Sequence, residues 1–197
     1  VPLNVRLTVH ELSYIVGDAA PKVLAHDDDL AAMAQQLQAQ GGTPHLLRFG
    51  PAYEAALAAS PRLETPEPVT LDDVSTIMYT SGSTGFPKGV LATHLQTVTA
   101  VVLRELNDCV SEVLRGVAPT DARSRRSVAL LTVPLFHATG LHAIMLPCFR
   151  TQCRLVSMYK WDPAAALSII ERERVDWFIA PPAVTHDLVR AARESEA

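Results

Sequence analysis

The stretch Ile77-Met78-Tyr79-Thr80-Ser81-Gly82-Ser83-Thr84-Gly85-Phe86-Pro87-Lys88-Gly89-Val90 decides how the rest of the chain is read. A β-rich lead-in, Thr76 to Thr80, breaks into a loop of three glycines, four hydroxyl side chains and one lysine. Glycine lets a backbone turn and approach an anion closely, and successive backbone N–H groups then form an anion-binding concavity. Thr80, Ser81, Ser83 and Thr84 add short donors, Lys88 adds positive charge, and Pro87 fixes one backbone angle beside the lysine. These are the means to hold a polyphosphate. The G-x-x-x-x-G-K-[ST] pattern is excluded, because Gly82 and Gly85 are three apart and Pro-Lys-Gly follows. G-x-G-x-x-G is absent as well, so a dinucleotide fold is not indicated. The plain alternative is a flexible Ser/Gly/Thr linker. Against it, the stretch lies between an apolar strand and a capped helix.

The spelling YTSGSTGFPKG resembles the phosphate-binding signature of the acyl-adenylate-forming (AMP-binding) enzymes: acyl- and aryl-CoA synthetases, luciferases and the adenylation domains of peptide synthetases. The resemblance implies that Thr80, Ser81, Gly82, Ser83, Thr84, Gly85, Phe86, Pro87, Lys88 and Gly89 hold ATP, with Lys88 supplying charge during catalysis and Thr84 approaching Mg2+.

A second segment, Val133-Pro134-Leu135-Phe136-His137-Ala138-Thr139-Gly140, follows another apolar strand. It is similar to the family's Pro-Leu-Phe-His-x-x-Gly stretch. The likeness implies that His137 lies near the acyl carboxylate, orienting it or gating its tunnel, and that Gly140 opens the helix lining that tunnel. Read alone, His137 is better explained as a core or loop histidine satisfied by two hydrogen-bond partners. Amino-acid-activating relatives tend to carry Phe-Asp at this place, so Phe136-His137 favours a fatty or aryl acid. A third segment, Asp176 to Ala183, reads as a buried strand running into a helix with Pro182 near its first position. The family often has such a junction, and so do ordinary βα units. One departure concerns Phe149-Arg150-Thr151-Gln152-Cys153, which lacks the glycine common before the next strand. This turn must use a conformation open to non-glycine residues, or a sparsely populated one.

The bulk properties agree. With 197 residues and 48% hydrophobic content, the chain has enough apolar surface for a core. A net charge of −4 leaves no electrostatic footprint for nucleic acid. Cys109, Cys148 and Cys153 are odd in number and lack metal-ligand spacing, which fits free thiols in a reducing cytoplasm. Asp27-Asp28-Asp29 is better explained by a helix start than by a cation site. Ser127 to Phe149 carries no charged residue, but two prolines, two histidines, a glycine and two threonines interrupt it. A buried strand, turn and helix explain it better than a membrane span.

Along the chain, helical and strand patterns alternate. Thr8/Glu11 and Thr93/Gln96 form capping boxes for helices reaching about Asp18 and Leu114. Further helices are expected over 28–40, 53–59, 140–149, from Asp162-Pro163 to about Arg174, and on to about Arg193. Strands are expected at 22–25, 45–49, 76–80, 128–133, 153–158 and 177–180, with a short return strand at 90–92. This order predicts an α/β fold of layered, mostly parallel sheets flanked by helices. The resemblance makes it part of the large N-terminal domain of an adenylate-forming enzyme. Three prolines in Ser60 to Pro68 mark the best internal boundary.

The family's reaction has two halves. A carboxylate attacks the α-phosphate of Mg-ATP, and a thiol, often that of coenzyme A, then displaces AMP. The resemblance covers almost all of this chain. Missing from it are a later Tyr-Gly-x-Thr-Glu type segment, a ribose-binding aspartate motif and the small C-terminal domain with its lysine. The chain is therefore expected to be a piece of an acyl-CoA synthetase-like ligase that does not turn over alone. A nucleotide-binding module without chemistry, or a structural remnant, are the competing expectations.

Overall fold

The computed structural model describes residues 1–41, 45–81, 85–118 and 127–195. They divide into two compact units, Val1–Ala92 and Thr93–Ala197.

In the first unit, α1 (Val9–Ala19) starts at the Thr8 capping box: Thr8 N–H donates to Glu11 Oε2 at 2.7 Å and Glu11 N–H to Thr8 Oγ1 at 3.3 Å. The Thr8 N–H, and then the Thr8 hydroxyl donating to the same Oε2 at 2.8 Å, hold the Glu11 carboxyl below its ordinary range. Leu12, Ile15 and Val16 recur at helical spacing and are buried. Leu12 and Val16 meet Leu37 of α2 (Ala31–Ala39) in a core that Leu3, Leu7, Val9, Leu24 and Met33 surround. A short 3-10 turn, Asp28–Leu30, precedes α2, so the expected helix over 28–40 is two elements. Asp28 is paired with Arg48 there, at the exposed surface. The strands β1 (Val23–His26) and β2 (His45–Arg48) pair in parallel, Val23 opposite His45 and His26 opposite Arg48, with α2 as their crossover. The helix α3 (Pro51–Ala59) begins two residues earlier than expected, because Pro51 suits a first helical position.

The strands β3 (Val74–Thr80) and β4 (Lys88–Thr93) form a second two-stranded sheet. The proline-marked connection at 60–68 lies within the first unit. Side chains on its far side are tied back to α1. Tyr79 on β3 bonds Asp18 of α1, and the Phe86 ring lies 5.1 Å from that of Tyr14.

In the second unit, α4 (His94–Leu114) starts at its capping box, with Thr93 N–H donating to Gln96 Oε1 at 2.9 Å. A three-stranded parallel sheet has the order β6–β5–β7, built from β5 (Val128–Leu131), β6 (Arg154–Ser157) and β7 (Trp177–Phe178). The central β5 is buried on both faces, as a parallel strand with helices on both sides must be. Ala129 packs with Ile144 and Cys148 on one side, while Leu130 packs with Ala166 and Leu188 on the other. The uncharged stretch at 127–149 is thus strand, turn and helix, as expected, and no helix among the described residues is long and apolar enough to cross a membrane.

The helices α6 (Pro163–Glu173) and α7 (Pro182–Ser195) complete the unit, α6 capped by Asp162, which accepts from Ala165 N–H at 2.7 Å. The expected strand at 177–180 shortens to two residues. Pro181 has no N–H for a ladder, and the Ile179 carbonyl accepts from Thr132 Oγ1 at 2.9 Å.

The glycine-free turn after α5 (Leu146–Thr151) places Gln152 at φ 57° and ψ 28°, in the left-handed region. A side chain there costs about 1–2 kcal/mol. We predict that Gln152→Gly stabilises the protein by roughly 1 kcal/mol, the relief of the Cβ contact outweighing glycine's extra freedom in the unfolded chain. Urea midpoints measure this, and a lower midpoint would count against it.

Candidate functional site

The first group of candidate residues lies on the β3–β4 connection. Thr80 closes β3, and Ser81 follows it, exposed. Gly82, Ser83 and Thr84 lie outside the described residues. Gly85 sits at φ 95°, which a side chain would oppose. Phe86 is 62% exposed, and Pro87 leads into Lys88, whose side chain is exposed at the first position of β4. The return strand thus begins at Lys88, two residues before the expected 90, so the lysine is held on a ladder rather than on a free loop.

Gly89 plays a packing part. A Cβ there would lie 3.0 Å from Ile77 Cγ2 and 3.1 Å from Tyr79 Cζ. The Tyr79 hydroxyl in turn donates to Asp18 Oδ2 at 2.5 Å. This Tyr79–Asp18 link anchors the base of the loop to α1. Its partners are 61 residues apart, so no local pattern reveals it.

Burial, and then the Asp18 carboxylate, raise the Tyr79 phenol well above its ordinary value of 10.0. Its contribution to stability is full below the unfolded-state value and fades as pH climbs through the folded one. Stability is therefore predicted to fall above about pH 10 in the parent protein and to fall less in Tyr79→Phe, which starts about 1 kcal/mol lower at neutral pH. Denaturant unfolding at neutral and alkaline pH separates the two; parallel curves would rule the link out.

The second group lies in the second unit, after β5. The His137 N–H donates to Pro134 O at 3.0 Å, and the His137 carbonyl accepts from Leu141 N–H at 3.1 Å. Its imidazole is exposed, 4.9 Å from the Phe136 ring. Residues Thr139–Met145 then form a π-helical turn, closed by Leu146 N–H donating to Leu141 O. The expected α-helix over 140–149 is therefore wide at its start and regular only over α5. Pro147 explains the width, since in an α-helix its ring would collide with the carbonyl of Ala143, and it offers no N–H. Gly140 is buried: a Cβ there would lie 2.6 Å from Val133 O and 2.8 Å from Pro134 C, and closer still to Pro134 O.

A groove of about 320 Å3 runs between α4 and this wide turn, lined by Ala100, Arg104, Ala138, Thr139, His142 and Ala143. His142 escaped the sequence reading. Burial lowers its pKa, favouring the neutral imidazole. Arg104 stacks over Trp177, 5.3 Å from the ring centroid, and pairs with Asp108 at 3.4 Å. Among the described residues, no cluster of three or more carboxylate, imidazole or thiol groups is placed to hold a metal.

Known proteins are similar to this chain in sequence and in fold. The feruloyl-CoA synthase of an Amycolatopsis species is 37% identical over 183 residues, 92% of this chain and 33% of its own. A long-chain-fatty-acid–CoA ligase of Mycobacterium tuberculosis is 30% identical over 191 residues, 93% of this chain and 34% of its own. The chain thus spans about a third of the length of the curated relatives it matches. Among solved structures, an inhibitor-bound N-terminal domain of FACL13 from Mycobacterium tuberculosis superposes with a TM-score of 0.75 at 27% identity, over 95% of this chain and 44% of that one. ATP-bound MatB from Rhodopseudomonas palustris gives 0.71 at 25% identity, over 95% and 35%. The α/β architecture is the one these enzymes share. Since the model of the AMP-binding enzyme family matches residues 1–197 throughout, the chain belongs to that family.

Proposed function

We propose that the protein containing these residues activates a carboxylic acid with ATP, as the acyl-adenylate, and passes the acyl group to coenzyme A. The observation that carries this reading is the family match over 1–197, joined to a glycine- and hydroxyl-rich connection that delivers Lys88 from the first position of β4.

Attack of a carboxylate on a phosphate brings two anions together, so the site must neutralise charge and align the reactants. Thr80, Ser81, Ser83 and Thr84, with the backbone around Gly82, Gly85 and Phe86-Pro87, are proposed to hold the β- and γ-phosphates. Lys88 is proposed to supply the charge. Magnesium keeps water and phosphate oxygens as most of its ligands. A single hydroxyl such as that of Thr84 suits that habit, and the metal would supply charge neutralisation. Gly89 supports the loop from below, by leaving room for Tyr79.

His137 is proposed to orient the carboxylate, and the apolar groove beside Gly140 to take the acyl group. The relatives are named for feruloyl, 4-coumarate, 3-hydroxybenzoate and long-chain fatty acids, which supports a fatty or aryl acid. A neutral His142 adds no charge to that groove. ATP and coenzyme A as co-substrates are consistent with work in the cytoplasm.

Carboxylate-dependent ATP–pyrophosphate exchange by the full-length protein, across short, medium, long and aryl acids, tests the proposal. Exchange with a fatty or aryl acid is expected, and thioester formation on adding coenzyme A. No exchange with any acid, in protein that is folded and binds Mg-ATP, would leave a nucleotide-binding module in its place.

A further inference from the structure

The end of α5 is closed by two backbone bonds. Gln152 N–H donates to Phe149 O at 3.4 Å, and Cys153 N–H donates to Cys148 O at 2.9 Å, with Gln152 left-handed between them. This is the Schellman arrangement, in which the residue after the left-handed one comes to rest against the helical residue five positions before it. An apolar pair commonly fills those two places. Here both are cysteine.

Cys148 is 1% exposed, in the cluster with Ala129 and Ile144, and half-buried Cys153 packs on the same cluster. The Cys153 thiol, which donates to the Arg154 carbonyl at 3.7 Å, lies close enough to that of Cys148 to influence it. Given the bond lengths of the backbone, a 2.9 Å N···O contact between the residues keeps their Cα atoms within about 7 Å, the limit for a disulfide. Cys109, the third cysteine, lies on α4 and outside this cluster.

We propose that Cys148 and Cys153 are a redox modification site, a dithiol that a peroxide converts reversibly into a disulfide across the helix cap. Cys153 is the residue that meets the oxidant, because it is the partly exposed member of the pair. Burial, and then the neighbouring Cys153, push the Cys148 thiol up to about 12, which keeps it protonated until the bridge forms. The Cys153 thiolate attacks one peroxide oxygen. An S–O bond forms, the O–O bond breaks, and hydroxide leaves to take up the proton that the thiol had shed, as water. The Cys148 sulfur then attacks the Cys153 sulfur. The S–S bond forms, the S–O bond breaks, and the departing hydroxide carries off the Cys148 proton as a second water. Two thiols and one peroxide thus give one disulfide and two waters, and a dithiol reductant reverses the change. The site is independent of the proposed ligase activity.

Treatment of the folded protein with hydrogen peroxide, then alkylation, digestion and mass spectrometry, tests this. Cleavage after Arg150 and Arg154 places the two cysteines in separate peptides. The expected product is those peptides joined, two hydrogens lighter, separated again by dithiothreitol, with Cys109 still alkylated. Cys109→Ser keeps the joined product and Cys153→Ser abolishes it. Phenylarsine oxide, which bridges adjacent thiols, gives a readout without any variant: it is expected to protect Cys148 and Cys153 together and to leave Cys109 open. A bridge through Cys109, sulfinic acid at Cys153 beside a reduced Cys148, or three alkylated thiols after peroxide would each overturn the proposal.

Discussion

Gly140→Ala is expected to destabilise the protein by about 3 kcal/mol or more, at the upper end of the overpacking range. The added methyl would lie 2.6 Å from Val133 O and 2.8 Å from Pro134 C, and nearer still to Pro134 O. All three are backbone atoms, so no flexible side chain can swing aside. The Pro134 carbonyl also accepts from His137 N–H, so the displacement travels directly into the His137 turn. For a chain of 197 residues this corresponds to a fall in Tm of roughly 10 °C. Gly17→Ala is the matched control. It lies in α1 with nothing within 4 Å of its Cβ position, and is expected to leave stability unchanged or to raise it by up to about 1 kcal/mol. Equal melting of the two variants would show that the wide turn is not pinned at Gly140.

Lys88→Ala is expected to lower carboxylate-dependent pyrophosphate exchange by the full-length protein about 100-fold or more, the scale seen when one preorganised charge or donor aimed at a transition state is removed. Its side chain is exposed, so stability should change by no more than about 0.5 kcal/mol. Lys88→Arg keeps the charge and is expected to recover part of the rate. Its planar fork differs from a compact ammonium, so recovery should be incomplete. Exchange at the parental rate in Lys88→Ala would remove the lysine from the mechanism while leaving the family assignment intact.

The features that were legible in the sequence are those written in local chemistry. Thr8/Glu11 and Thr93/Gln96 announce two helices through reciprocal hydrogen bonds within four residues. Asp162-Pro163 announces a third. The uncharged run through β5 announces a strand covered on both faces. The β3–β4 connection was legible because its glycines and hydroxyls are contiguous.

What escaped depends on distance. The Tyr79–Asp18 bond joins residues 61 apart in the chain, which only the rest of the fold brings together. Helix α4 is the sharpest case. Its periodicity offers Leu95, Val98, Val102, Leu106 and Val113 for burial, yet these are exposed, while Val101 and Glu112 are buried. The inward face carries the Arg150–Glu105 ion pair to α5 and the Arg104–Trp177 stack. A pattern of apolar residues shows that a face needs covering, and the order of covering belongs to the fold.

The π-helical turn also sets an aim. One residue more or less in a helical turn swings everything upstream by about 100° relative to everything downstream. Downstream, Cys148 is fixed in the core; upstream, Gly140 is wedged beneath Pro134. The width that Pro147 demands therefore works as a vernier between two clamped ends. It takes up the fraction of a turn by which strand and core would otherwise disagree. The backbone that carries His137 is thus set in part by a proline ten residues further along.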